Sequence, residues 1–343
     1  MSMQQMLLGA GGGPPGPDID DVFSVDTWSG NNTQRDITNG LDLDGEGGVV
    51  WVKNRSNTLP MRMVGTTFPT NNWYGITSID TAQIRAPSTH TDRYWFKDFN
   101  SDGFEVGTNQ TGDHAYNKSG SNYVGYSFRN CADFFRSGNY QGDGVDSGQT
   151  INHGMTTTPG LVISSMHGFK SWAFHKAGGN GKSLNMSSSE DWDTHSGHSW
   201  NVNSTSWNAI DHYIVEANYN NTDGWWMAFA DHSAGGSFGA SGSKKAIICD
   251  SYTGNGNSSG PSITLGFQPQ WLMIKCATQG GSTRWNVFDS TRGFNKVIDF
   301  FSNSESTESY VSATSTGFDV ISSDGQVNQN SAEYIFVAIA AST

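Results

Sequence analysis

Apolar positions in this chain come in short runs separated by Gly, Asn, Ser and Thr, and the runs recur in one order. Strand-like runs at Val22 to Val25, Phe134-Phe135 and Ala246 to Cys249 each lead into an aromatic-x-Gly opening. The openings are evenly spaced, at Trp28-Ser29-Gly30, Tyr140-Gln141-Gly142 and Tyr252-Thr253-Gly254. An Ile-x-x-Gly turn follows each time: Ile37 to Gly40, Ile151 to Gly154, Ile263 to Gly266. A strongly apolar strand comes next, at Val49 to Val52, Leu161 to Ile163 and Trp271 to Ile274, with Pro159 and Pro269 just before the second and third. Proline is tolerated at a strand start, where its missing N–H costs little. Gly-Phe turns stand at Gly103-Phe104 and Gly317-Phe318, and a closing apolar strand ends all three series, at Tyr123 to Phe128, Trp225 to Phe229 and Tyr334 to Ile339.

Ordered recurrence of this kind is the signature of internal duplication. The expectation is an all-β chain of three tandem antiparallel β-sandwich repeats, jelly-roll-like, each about 100 residues long. The boundaries expected are a flexible N-terminal attachment segment over 1–21, repeats over 22–132, 133–232 and 246–343, and a Gly/Ser linker over 233–245. Closing strands that are apolar at consecutive positions must be buried on both faces, inside a sandwich or between repeats.

Composition agrees. The 343 residues include 42 Gly, which suits frequent turns. Rings are plentiful, at 12 Trp, 11 Tyr and 19 Phe, so the chain has the means to build cores despite 35% hydrophobic content. Charged residues are only 15%, unlike a disordered chain. With 19 basic against 32 acidic residues the net charge is −13, and the longest basic run is Lys244-Lys245. Phosphate binding needs a basic surface, so no nucleic-acid partner is expected. No run approaches the ~20 apolar residues of a membrane span. The start lacks a basic region before its apolar run Met6-Leu7-Leu8, so neither a secretory signal nor membrane insertion is expected. Cys131, Cys249 and Cys276 are too sparse for a disulfide framework or a zinc site and read as small buried hydrophobes.

The third series carries the most specific text: Leu265-Gly-Phe-Gln-Pro-Gln-Trp-Leu-Met-Ile-Lys275, then Trp285-Asn-Val-Phe-Asp-Ser-Thr-Arg-Gly293, then Tyr334-Ile-Phe-Val-Ala-Ile339. It resembles a repeat module of structural proteins from marine phages, cyanophages especially. The first series matches it at Trp51-Val-Lys-Asn-Arg55. The second departs from it, with Ser164-Ser165-Met166 where the others carry a basic residue. Gln4-Gln-Met-Leu-Leu-Gly9 with the glycines after it is similar to the starts of phage tail-fibre and virion proteins. The resemblance spans roughly 22–343 and supplies no catalytic residues. It implies a virion protein made in the host cytoplasm, a tail fibre or tail-attached adhesin. Capsid decoration or a head fibre is one alternative, and a glycan-degrading depolymerase another. Other virion proteins are the implied partners, with Met6, Leu7 and Leu8 as the virion-attachment anchor. Closed cyclic symmetry in fibres, and apolar strands beyond what thin sandwiches need, favour a homo-oligomer, a trimer first. A monomer satisfied by its own three repeats is the alternative. A host surface glycan is the candidate ligand of the aromatic loops.

The chain offers little catalytic chemistry. His195 and His198, flanked by Asp191 and Asp193, carry ligands that suit a divalent metal, but their spacing fits no zinc motif and a solvated loop is the expectation. Asp42-Leu-Asp-Gly-Glu46 lacks the twelve-residue calcium pattern and reads as an acidic turn. Asp289-Ser-Thr-Arg292 offers an acid with a guanidinium clamp, but after the Trp285–Phe288 strand the expectation is a structural turn or a loop-fixing ion pair. No nucleophile elbow or nucleotide fingerprint is present. No metal, no cofactor and no enzyme activity are therefore expected. Trp192 and Trp200 lie in a polar Ser/Asp/His/Gly stretch, where aromatic faces stack on sugars, and are the candidate glycan contacts.

Overall fold

The computed structural model describes residues 16–68, 96–108, 116–166, 171–186, 188–194, 201–210, 217–236, 238–279, 281, 283–300 and 303–342. It is almost entirely β, with 46% strand and 4% helix. The strands fall into three sets in chain order, and every pairing among the described residues is antiparallel. In the first set β1 (Phe23–Ser29), β7 (Asn122–Arg129), β3 (Gly48–Asn54) and β4 (Arg62–Gly65) form a large sheet in that order. Its companion is β2 (Arg35–Thr38), β6 (Gly103–Val106) and β5 (Phe96–Asn100).

The second set keeps the arrangement. β8 (Phe135–Gln141), β15 (Asp223–Phe229), β10 (Leu161–Met166) and β11 (Ser171–His175) continue into β12 (Lys182–Asn185) and β13 (Asp193–Thr194), while β9 (Gln149–Asn152) pairs with β14 (Ser206–Ala209). In the third, β16 (Ile247–Thr253), β24 (Glu333–Ala340), β18 (Pro269–Cys276) and β19 (Asn286–Asp289) continue into β20 (Lys296–Asp299) and β21 (Ser306–Thr307). β17 (Ser262–Thr264), β23 (Gly317–Val320) and β22 (Val311–Thr314) form its small sheet. The helix α1 (Gly325–Asn328) is a single turn capped by the Asp324 side chain. Opening strand, closing strand and apolar strand are thus neighbours in that order each time.

The period-2 geometry of strands explains the consecutive apolar residues. In the first set Val50, Val52 and Tyr123 turn toward the small sheet, with Phe104 and Val106. Val49, Trp51, Val124, Tyr126 and Phe128 turn the other way. In the third, Leu272, Ile274, Tyr334 and Phe336 face the small sheet, and Trp271, Met273, Ile335, Val337 and Ile339 face away. The outward faces meet one another and the second set in one common core. There the Trp51 ring lies 4.9 Å from Phe128, 6.0 Å from Phe229 and 6.0 Å from Trp271. The sandwiches are therefore fused through a shared aromatic centre, which covers the second face of each large sheet.

The aromatic-x-Gly turns repeat in atomic detail. Gly30, Gly142 and Gly254 donate to the carbonyls of Ser121, Thr222 and Ala332. A Cβ at these glycines would stand 2.0, 2.3 and 2.2 Å from the carbonyl oxygens of Lys118, Tyr219 and Gln329, so only glycine fits. A buried asparagine locks each turn: Asn117, Asn218 and Asn328 accept from the backbone N–H of Asn31, Asp143 and Asn255.

The segment 233–245, expected as a free linker, is anchored. Phe238 is 1% exposed, against Phe134 and His232, because its ring is large enough to be drawn into the core. Residues 16–21 are likewise tied down: Ile19 is buried, and Asp18 pairs with Lys244. Residues 1–15 lie outside the described residues.

Candidate functional site

Asp289 and Arg292 form an internal fastener. The Arg292 N–H donates to Asp289 Oδ1 at 2.8 Å and its Nε to Asp289 Oδ2 at 2.5 Å, with both side chains 0% exposed. The remaining guanidinium nitrogens donate to Glu305, to Tyr126 Oη and to the Val287 carbonyl. Tyr126, on β7 of the first set, donates to Asp289 at 2.8 Å. Arg55, at the end of β3, grips Glu305 at 2.7 and 2.9 Å. Burial alone would push the Glu305 carboxyl up. The hydrogen bonds and charges of Arg55 and Arg292 outweigh it and hold Glu305 below the ordinary carboxylate range. These groups join the third set to the first, and their polar atoms face one another.

The seam between the second and third sets follows the same plan. Trp192 N–H donates to the Ala277 carbonyl at 2.9 Å, as Glu305 N–H donates to the Arg55 carbonyl at 3.0 Å. Ala277 and Arg55 each stand two residues after a buried lysine, Lys275 and Lys53, at matching places on β18 and β3. Trp192 and Glu305 therefore hold equivalent positions. The Trp192 indole packs on Gly178, where a Cβ would come within 2.8 Å of the ring, and its N–H donates to Glu333. His175 and His232 line this seam, buried. Each accepts a backbone N–H at Nδ1, from Ala177 and Ala246, and bonds a carbonyl through Nε2, of Phe336 and Asp133. Burial pushes His175 down to about 4 and lowers His232.

Beside Glu305 the seam between the third and first sets opens into a groove of about 480 Å³. Its wall is β20 together with Asn303 to Ser306, Glu308 and Tyr310. Arg284 and Gln326 stand across from it, and Thr58 comes from the first set. At its base Asp299 accepts from Arg284 at 3.3 Å and Asn303 at 2.7 Å, and Lys53 Nζ lies 3.8 Å away. Burial lowers the Lys53 ammonium to about 8, against the pull of Asp299. Gln326 Oε1 accepts from the Arg284 N–H and from Asn286, which fixes the opposite wall.

Of the residues singled out in the sequence, Trp192 is half-buried in the seam, and Asp191 accepts from the Gln279 N–H. Trp200, His195, His198, Met6, Leu7 and Leu8 lie outside the described residues. Among the described residues no group of His, Cys, Asp or Glu stands close enough to hold a metal, and no helix is long and apolar enough to cross a membrane. Asp42 closes an ordinary turn by accepting from the Gly45 N–H. The sequence reading missed Tyr126, Glu305 and the groove. Glu305 sits in a polar Ser/Asn stretch with no local signal, and the matching lysines near the ends of β3 and β18 were the one pointer to equivalent seams.

Residues 18–343 match a family described as a domain of unknown function, DUF7483. No curated protein and no solved structure matches the chain.

Proposed function

The chain belongs to the DUF7483 family, and we propose that it is a bacteriophage virion structural protein, a tail fibre or tail-attached adhesin that contacts the host surface. One observation carries the reading: the one acid–guanidinium pair that the sequence offers, Asp289 with Arg292, is fully buried and spent on holding sheet sets together. Function is argued from a site, and this one does the work of a fastener. An all-β body fused round an aromatic centre suits a part that must keep its shape outside the cell. The phage-module text and the N-terminal Gln-Gln-Met-Leu-Leu-Gly point the same way. In this reading the three sheet sets are copies of one duplicated unit. Residues 1–17 join the chain to a neighbouring virion protein through Met6, Leu7 and Leu8, and the chain assembles as a trimer.

Incubation of the purified protein with host polysaccharide separates this reading from a depolymerase. The polysaccharide is expected to keep its length. Chain shortening abolished by Glu308→Gln or Asp299→Asn would make the protein an enzyme. Sedimentation equilibrium tests the trimer, and a monomer at micromolar concentration contradicts it.

A further inference from the structure

We propose that the groove between the third and first sheet sets is a saccharide-binding site that takes an uncharged, hydroxyl-rich sugar. This rests on the reading of the chain as a host-contacting protein and names where that contact is made.

The two seams supply the first argument. They share the same backbone bond, made by Trp192 in one and Glu305 in the other. In the first the indole lies down on Gly178. In the second the carboxylate turns to Arg55 and Arg292, and the neighbouring space stays open at about 480 Å³. That volume falls within the ~300–1,000 Å³ of small-molecule sites.

Charge then selects the ligand. Glu305 is matched by two arginines, and Asp299 by Arg284 and Lys53. An anion entering the groove would meet Glu308 as well as these carboxylates, and a cation would meet Arg284. A neutral polyol avoids both penalties. Its hydroxyls both donate and accept, and they would find Arg284 and Asn303 as donors, Glu308 as acceptor, and the Ser304 and Ser306 hydroxyls for either role. Tyr310, half-buried at the end of the wall, offers a ring beside them. Aromatic rings next to planar polar groups suit the two faces of a pyranose.

The walls are also fixed before any ligand arrives. Asn303 is held to Asp299, Asn286 to Gln326, and Gln326 to the Arg284 backbone. Fixed partners lower the ordering cost of binding.

Titration of the full chain with the methyl glycosides of glucose, galactose, mannose and N-acetylglucosamine and their β-linked disaccharides, followed by saturation-transfer NMR and calorimetry, tests this. At least one neutral sugar is expected to bind saturably. Glu308→Gln and Arg284→Ala should each weaken it tenfold or more. Ser306→Trp, on the exposed rim, should block it while leaving the melting temperature unchanged, which covers the case where an inner variant fails to fold. Three results overturn the site: no neutral sugar binds, only inorganic phosphate or sialic acid binds, or binding survives Ser306→Trp and is lost in Trp192→Ala. None of them touches the virion assignment, which particle composition decides separately.

Discussion

Glycine and asparagine fix the turns of this fold at single positions. Gly254→Ala would place a methyl group 2.2 Å from the Gln329 carbonyl oxygen. It should cost about 1–3 kcal/mol in urea denaturation, the usual range for forced overpacking. Gly235→Ala, with open space around it, should be nearly neutral. Equal effects would contradict the reading of the aromatic-x-Gly turn. The glycines were legible because they recur beside an aromatic. Asn117, Asn218 and Asn328 were not, because a buried asparagine looks like any loop asparagine until its partners are known.

His175 gives a pH dependence of defined sign. Its folded value is about 4 and its unfolded value 6.5, so the unfolded chain takes up a proton that the folded chain refuses. Stability from this group is full above pH 6.5, falls as pH drops toward 4, and is flat below that. At pH 5 the loss should be on the order of 2 kcal/mol relative to pH 7.5. His175→Asn should flatten that part of the profile. A wild-type stability that rises between pH 7.5 and 5 would contradict the neutral, buried ring.

At the scale of elements, two-sided burial of the large sheets was readable in advance. Tyr334 to Ile339 is apolar at every position, and a strand with one wet face would alternate. The sequence did not reveal what covers the second face. The other sheet sets do, through Trp51, Phe128, Phe229 and Trp271. The seams were illegible for a similar reason. Arg55 and Glu305, or Tyr126 and Asp289, lie far apart in the chain and meet only when β3, β7 and β19 are in place. Arg292→Met leaves Asp289 and Glu305 buried with fewer partners and should cost about 3–5 kcal/mol. Trp51→Ala should cost a similar amount by opening a cavity in the shared centre. A loss under 1 kcal/mol in either, by chemical denaturation, would show that the seam or the centre holds less than the contacts suggest.

For the whole molecule, fusion round one centre changes how the chain should unfold. Three self-sufficient sandwiches in tandem would melt separately. Sheet sets that share Trp51, Phe128, Phe229 and Trp271 should melt together, so calorimetry is expected to give a single endotherm. Two or three resolved endotherms would contradict the shared core. Phe238 makes the same point about the Gly/Ser stretch, whose composition reads as a free tether while its one ring is pulled inside. Deleting residues 1–15, which spares the tied-down 16–21, should leave this melt unchanged and abolish incorporation into particles. The most direct test of the central proposal is cryo-electron microscopy of intact phage particles that encode this chain. Density fitting the three-part β body on the tail is the expected result. Density on the capsid alone would overturn the tail assignment, and absence of the chain from purified particles would contradict the virion assignment itself.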